Sequence, residues 1–126
     1  MSIVINWDNP EKTIIRWDFS GAWNWDEYGA VKVGFDAMLR EVDHTVDVIA
    51  NLQHSPTLPR NAFTKFKYFT RTTPPNRGLI VFVGTNLLVR VTVETLGKAF
   101  KELAQYIAFA DTVESARHML AVREAA

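Results

Sequence analysis

The chain has 126 residues, with 14 basic side chains against 14 acidic ones and no cysteine. That length suits one domain, and 48% hydrophobic with 22% charged residues is typical of a globular protein rather than a disordered tail. The lack of cysteine excludes disulfide scaffolds, thiolate zinc sites and cysteine nucleophiles. Zero net charge argues against general nucleic-acid binding. The composition therefore predicts a single domain over residues 1–126.

The N-terminal third predicts a strand hairpin followed by a helix. Ile3–Trp7 alternates, and residues 13–19 are rich in β-branched and aromatic side chains, so two antiparallel strands are expected around a turn that contains Pro10. A helix is predicted from Asn24 or Trp25, with carboxylates in its first turn, where they suit the helix dipole. Its apolar stripe comprises Tyr28, Val31, Phe35, Met38, Leu39 and Val42.

The middle of the chain predicts two buried strands with a helix between them. Residues 46–52 are short, mostly apolar and β-branched, as expected for a central strand covered on both faces. Residues 61–72 predict a second helix, with three phenylalanines near one face, and residues 73–78 end it. The longest apolar run, residues 79–83, predicts a buried strand that ends at Gly84.

The last third predicts two more helices and one strand. A third helix is expected over residues 85–103, and a short strand over residues 106–109. Asp111 and Glu114 have the spacing of a capping box that opens the last helix. The buried stripe of the third helix is expected to be Leu88, Val91, Leu96, Ala99, Phe100 and Leu103.

The predicted order of elements is ββαβαβαβα. Because three helices each join two strands, crossovers are favoured, and with them a mixed, largely parallel sheet of about five strands with about four helices. The fold class is therefore α/β, with no repeat and no linker to a second domain.

The neutral total hides a segregation of charge along the chain. Residues 1–47 carry a net charge of −5, residues 48–93 carry +6 with no acidic side chain at all, and residues 94–126 carry −1. Such a block makes a local positive field that attracts anionic partners.

The second predicted helix lies inside this basic block. Arg60, Lys67 and Arg71 recur at i, i+7 and i+11 on one flank of the phenylalanine stripe, and Lys65 lies on the other. The pattern favours a docking surface for an acidic partner or a phosphorylated group. The alternative is a solvated helix face without a partner.

Signals for catalysis, metals and cofactors are weak, so no catalytic residue, metal or cofactor is expected. None of the serines lies in a G-x-S-x-G nucleophile motif. Gly84 and Thr85 lie between a strand and a helix, where α/β proteins bind anions, although a single glycine more often only permits the turn. The histidines lack metal-ligand spacing; they are His44, His54 and His118.

All four tryptophans fall within the first 25 residues. Trp7 and Trp17 are expected to be cross-strand partners in the hairpin. Trp23 and Trp25 lie at the junction of hairpin and helix. Packing is the favoured role for these rings, and an aromatic ligand rim or an interface is the alternative.

The chain lacks the signals for secretion or membrane insertion. Its first residues have neither a basic leader nor a long apolar core, so no signal peptide is expected. The longest apolar run is far shorter than the ~20 residues of a membrane span. A cytoplasmic location is therefore expected.

Three features together resemble a known family. They are the strand–helix alternation from Thr13, the apolar strand 79–84 followed by a helix, and the segment 107–116, Ile-Ala-Phe-Ala-Asp-Thr-Val-Glu-Ser-Ala, which looks like a terminal strand, a polar cap and a helix start. The chain is similar to the SpoIIAA-like group of STAS domains, grouped with SEC14-like folds as STAS/SEC14 proteins. The resemblance implies a cytoplasmic bacterial regulator that acts through protein–protein contact rather than catalysis.

One departure from that family concerns phosphorylation. STAS anti-sigma-factor antagonists carry a phosphorylatable Ser or Thr in an Asp-Ser-x-Gly-like motif at the start of the second helix. The matching segment 58–62, Leu-Pro-Arg-Asn-Ala, contains no Ser, Thr, Asp or Gly, and Ser55 and Thr57 lie in the preceding loop. The departure argues against a kinase-switched antagonist and leaves Ser55, Thr57 and Thr85 as candidate phosphorylation or anion sites.

Two functional hypotheses follow. The first is a non-enzymatic regulatory or interaction module that binds a partner through the loop 53–59 and the basic helix after it. The second is a carrier or sensor of a small lipid or anionic ligand held between helices and sheet, as the SEC14-like side of the resemblance implies. An enzyme with an unmarked site ranks last, and a homodimer is left open.

Overall fold

The computed structural model of the chain describes residues 2–55 and 57–125, which form a five-stranded mixed sheet with helices on both faces. The strands are β1 (Ile3–Trp7), β2 (Ile14–Ser20), β3 (Val46–His54), β4 (Arg77–Val83) and β5 (Ile107–Ala110). The helices are α1 (Trp25–Arg40), α2 (Ala62–Arg71), α3 (Leu87–Ala99), α4 (Lys101–Ala104) and α5 (Val113–Ala125). The predicted α/β class and mixed sheet are confirmed, and the four-residue α4 is an addition.

The strands lie side by side in chain order. β1 pairs antiparallel with β2, and β2 to β5 are parallel neighbours. Because each crossover moves one strand further in the same direction, right-handed crossovers place their helices on the same face of the sheet. On that face Trp17 packs in one core with Phe35 of α1 and Val89 of α3. On the opposite face, Ala116 and Leu120 of α5 form a second, smaller core.

β3 is the central strand, and it is covered on both faces as its apolar sequence predicts. Val48, Ala50 and Leu52 belong to the core under α1 and α3, whereas Ile49 belongs to the core under α5. Alternate side chains of one strand thus serve two different cores.

α1 begins where its sequence predicts. The side-chain oxygen of Asn24 accepts a hydrogen bond from Glu27 N at 2.8 Å, which caps the helix. Phe35 and Leu39 are buried as the stripe predicts, but so is Lys32, which the apolar pattern did not include.

The expected Trp7–Trp17 pair in the hairpin is wrong. The register places Ile5 opposite Trp17, and Trp7 opposite Ile15. The turn at residues 8–13 is tied by Asn9, whose side chain accepts hydrogen bonds from the N–H groups of Thr13 and Ile14, and this turn sets the register.

β4 begins earlier than predicted and contains a bulge. Residues 73–78 were expected to lie outside the strand, yet β4 starts at Arg77. Val46 is opposite Arg77 and Val48 is opposite Ile80, so two residues of β4 face one residue of β3. A bulge of this kind reverses which face the preceding side chain points to. Arg77 therefore shares a face with Ile80, under the crossover helices.

Asp47 and Gly78 make this bulge fit. Asp47 Oδ1 accepts a hydrogen bond from Leu79 N at 2.8 Å and so satisfies the N–H that the bulge takes out of the ladder. The same carboxylate contacts Arg123 of α5 at 3.3 Å. A Cβ at position 78 would clash with Asp47 Oδ1 and lie 2.8 Å from Thr45 Cγ2. The bulge thus requires glycine.

The predicted third helix is interrupted, and its predicted stripe is right at Leu96 but wrong at Val91 and Ala99. α3 ends at Ala99, and Phe100 leaves the helical conformation, with φ −127° and ψ 87°, before α4 begins. The buried positions are Val89, Val93 and Leu96, whereas Val91 is 51% exposed and Ala99 is exposed. Leu88 and Leu103 of that stripe lie outside the residues whose side chains are described.

The cap of α5 also differs from the prediction. Ser115 N donates to Thr112 Oγ1 at 3.0 Å, and Thr112 N donates to Ser115 Oγ at 3.2 Å. The capping box is therefore Thr112–Ser115 rather than Asp111–Glu114. The two hydroxyl groups accept hydrogen bonds from the backbone N–H groups of Ser115 and Thr112, as the two side chains of any capping box do.

An ion-pair network ties α5 to the hairpin. Asp8, whose side chain is 2% exposed, accepts hydrogen bonds from Nε and Nη2 of Arg117, both at 2.8 Å, and also pairs with Arg16. Burial raises the pKa of the Asp8 carboxyl, but the hydrogen bonds and charges of Arg117 and Arg16 outweigh burial and lower this pKa below its usual range. The N-terminal end of β2 and the last helix are thereby connected.

Gly78→Ala is expected to destabilise the fold by about 1–3 kcal/mol, because the added methyl group forces the bulge away from Asp47. Urea denaturation, fitted with one m-value shared by the variants and the wild type, measures the change in the free energy of unfolding. Gly34→Ala is the matched control, since its Cβ lies 3.7 Å from Ile5 Cδ1 and the substitution gains up to ~1 kcal/mol of helix propensity. Equal stability of the two variants would contradict the steric role of Gly78.

Candidate functional site

A cavity of about 90 Å³ lies between the sheet and the crossover helices. Its floor consists of side chains of β2, β3, β4 and β5, and its walls and roof come from α1, α2 and α3. The surroundings are almost entirely apolar; among the lining side chains are Trp17, Phe35, Val48, Phe66, Phe82 and Val93. The sequential sheet accounts for this position, because three helices share one face and leave space between their inner surfaces.

Aromatic rings from three elements shape one side of the cavity. Trp17 stacks on Tyr28 with 5.0 Å between ring centroids, and Trp25 makes an edge contact with Phe66 at 5.2 Å. Trp23 contacts Trp25 edge-on at 4.9 Å. Trp17 and Trp23 are buried, so the packing role predicted for these rings is confirmed. Trp17 and Trp23 also line the cavity.

Arg77 brings a cation to this apolar space. Its Nε is buried and has no hydrogen-bond partner among the described residues, and its guanidinium carbon lies 5.6 Å from the centre of the Tyr106 ring. Burial lowers the pKa of Arg77, and the nearby Tyr28 and Tyr106 oppose that effect. Because an unpaired buried donor is costly, this guanidinium is the feature of the cavity that ordinary packing does not explain.

Lys32 is the second cation of the cavity lining, and its charge is already compensated. Nζ lies 3.0 and 2.9 Å from the two carboxylate oxygens of Asp36 and 3.3 Å from Thr72 Oγ1. The buried ion pair of Lys32 and Asp36 contributes no net charge to the cavity, so Arg77 alone sets its sign.

Tyr28 adds a neutral hydroxyl to the lining. Burial raises the pKa of this phenol well above its ordinary value, since the charge of Arg77 only partly offsets burial and Asp36 adds to it. Tyr28 therefore stays protonated throughout the physiological range and brings no negative charge to Arg77.

The predicted loop 53–59 is shorter in the structure, because Gln53 and His54 belong to β3, and its Pro56 lies outside the described residues. Ser55 is fully buried. Its hydroxyl donates to Gly21 O at 2.9 Å and accepts from Trp23 Nε1 at 3.0 Å. In this conformation the Ser55 hydroxyl is inaccessible to a kinase and fixes the indole at the cavity instead, whereas Thr57 is exposed.

The four predicted docking cations lie on and beside α2 but do not form one cluster. Arg60 and Arg71 are exposed at its two ends, and Lys67 Nζ lies 4.9 Å from the centre of the Phe100 ring. At 100° per residue, Lys67 and Arg71 share a face and Lys65 does not. The described ion pairs include none of these four side chains.

α2 is also the roof of the cavity. Only Ala62 of this helix is buried, and its aromatic side chains rest on rings of α1: Phe69 lies 4.8 Å from Tyr28, in addition to the contact of Phe66 with Trp25. Trp25 Nε1 further donates to the carbonyl of Arg60 at 2.6 Å. The four predicted docking cations and the roof of the cavity therefore lie on or beside the same helix.

The glycine of the predicted anion site at Gly84 and Thr85 is explained by the geometry of the turn. Gly84 has φ +70° and passes so close to Gln53 that a Cβ would clash with it, so the turn itself requires glycine. Asn86 occupies the N-terminus of α3, where its side chain accepts a hydrogen bond from Val89 N at 2.9 Å. Thr85 lies beside this cap and is partly buried.

Sequence patterns missed the two cations that line the cavity. Lys32 has Asp36 four residues later, and this i, i+4 pair was a visible signal. Arg77 was visible only as one base among six in the acid-free segment, since the bulge that turns it inward depends on Asp47 across the sheet.

The chain matches no protein-family model, no curated protein and no solved structure. Within the described residues, no set of three or more His, Asp or Glu side chains is arranged to hold a metal ion. The helices in the described ranges lack the length and apolarity needed to cross a membrane.

Arg77→Met is expected to raise the free energy of unfolding of the ligand-free protein by about 1–2 kcal/mol, because an apolar chain replaces an unpaired buried donor. Chemical denaturation of protein refolded from denaturant measures the change. Arg90→Met is the control: Arg90 is exposed, and its guanidinium carbon lies 4.5 Å from the centre of the Phe109 ring, so its removal is expected to cost stability. A destabilised Arg77→Met variant would show that Arg77 is a structural residue.

Proposed function

We propose that this protein is a non-enzymatic carrier or sensor that binds a small molecule between its crossover helices and its sheet. The observation that carries the proposal is the apolar cavity whose lining includes Arg77, a side chain with a buried and unpaired Nε. A closed core gains nothing from a buried donor without a partner. A binding site gains from such a donor, because the bound ligand supplies the missing hydrogen-bond acceptor.

The SEC14-like side of the sequence resemblance implies a carrier or sensor of a small ligand and agrees with this proposal. That resemblance implies a mixed sheet of about five strands with helices between parallel strands, and this chain has a mixed five-stranded sheet with crossover helices. It also implies a cytoplasmic bacterial regulator that acts through protein–protein contact, and we adopt the regulatory role for this protein.

The position of α2 suits a sensor as well as a carrier. The helix covers the cavity through Phe66 and Phe69, and Arg60 and Arg71 are exposed to solvent at its two ends. A ligand under α2 would change how well ordered the solvent-facing surface of this helix is, because the same short helix forms the roof of the cavity and that surface.

The wild-type protein is expected to bind 3-methylbutan-1-ol, a small neutral probe of the cavity, with shifts of the methyl resonances of Val48 and Val93 in NMR spectra. Ala50→Leu fills the cavity from β3 and is expected to abolish these shifts. Ala37→Leu adds the same atoms at an exposed position of α1 and should leave the ligand-induced shifts unchanged. Binding that survives Ala50→Leu would contradict the proposed site.

Docking of an acidic partner on α2 is the second candidate function. It is favoured by one observation: Arg60, Lys65, Lys67 and Arg71 make no described ion pair, within a 46-residue segment that has no carboxylate. Cations without local counter-charges provide electrostatic attraction for an anionic surface.

The triple variant Arg60→Glu, Lys67→Glu, Arg71→Glu is expected to weaken binding of a fluorescent hexaglutamate peptide at least about tenfold at low salt. Fluorescence anisotropy measures the affinity, and circular dichroism checks the fold. The matched control reverses Arg40, Lys98 and Lys101, three exposed helix cations outside the acid-free segment. If both triple variants lose the peptide equally, the attraction is general rather than located at α2.

A further inference from the structure

We infer that the ligand is a small monocarboxylate, with its carboxylate on Arg77 and its apolar body among the aromatic rings of the cavity. This inference rests on the proposed binding function and names the chemical class of its ligand. It follows from the charge balance, the hydrogen-bond geometry and the size of the space.

The charge balance of the cavity calls for one negative charge. Lys32 is neutralised by Asp36 at 2.9 Å, Tyr28 stays protonated, and the described ion pairs do not include Arg77. The lining therefore has a single uncompensated cation. A monoanion neutralises it, whereas a phosphate monoester would place a second, unpaired negative charge in apolar surroundings, at a large desolvation cost.

The free donor of Arg77 suits a carboxylate. The Nε–H is the unsatisfied group, and a guanidinium binds a carboxylate through two parallel N–H donors in one plane. The ring of Tyr106 lies against the guanidinium at 5.6 Å and restricts its orientation. A neutral amide or alcohol accepts a weaker hydrogen bond and leaves the charge uncompensated.

The size of the space limits the apolar body of the ligand. An apolar cavity of ~150 Å³ holds one benzene molecule, so the space of about 90 Å³ suits a body of roughly four or five carbons. A phospholipid with two acyl chains does not fit. The small lipid expected from the SEC14-like resemblance is thus replaced by a short, branched or cyclic acid.

The test compares 3-methylbutanoate with the isosteric neutral amide 3-methylbutanamide by isothermal titration calorimetry. The wild-type protein is expected to bind the carboxylate at least about tenfold more tightly, as for a hydrogen bond to a charged group. Arg77→Met should lose this preference while it still binds the amide, and Arg77→Lys should restore part of it. Arg90→Met should keep the full preference.

The possible results separate this inference from the proposed function. Equal affinity for the two ligands, or a preference that survives Arg77→Met, would overturn the monocarboxylate, while the cavity would remain a binding site. Tighter binding of 3-methylbutyl phosphate than of 3-methylbutanoate would overturn it as well. If 3-methylbutanoate, 3-methylbutanamide and 3-methylbutan-1-ol all fail to bind, the proposed function fails together with the inference.

Discussion

The bulge at the start of β4 is the constraint on which the candidate site depends. Asp47 accepts the hydrogen bond of Leu79 N, and Gly78 leaves room for that carboxylate. Because two residues of β4 lie opposite one of β3, Arg77 is turned to the face of the crossover helices. In a regular strand its side chain would share a face with Leu79, under α5. A backbone irregularity thus decides on which side of the sheet the cation lies.

The order of the strands provides the space into which Arg77 points. Strands that follow one another across the sheet place three crossover helices on one face and leave α5 alone on the other. Packed helix pairs are usually 8–10 Å apart, and large rings fill most of the gaps between them here. The space that remains open is lined by Trp17, Phe35 and Val93 among other side chains.

The sequence predicts most of the fold but little of the site. Alternation at Ile3–Trp7, the apolar run at 79–83 and the cap at Asn24 are local signals, and local physics determines these elements. The register that separates Trp7 from Trp17, and the burial of Val89 instead of Val91, depend on packing between distant segments. Arg77 belongs to this second class, because its orientation depends on Asp47, 30 residues earlier in the chain.

The separation of the two cores has a consequence for how such a protein could change. Ala116 and Leu120 of α5, with Ile49 and Val81 of the sheet, bury a core that shares no side chain with the cavity. Substitutions at Ala50 or Leu58 alter the cavity without touching this second core. The shape of the cavity can therefore change by single substitutions in one layer while the other layer preserves the fold, an arrangement that suits directed evolution of a binding site.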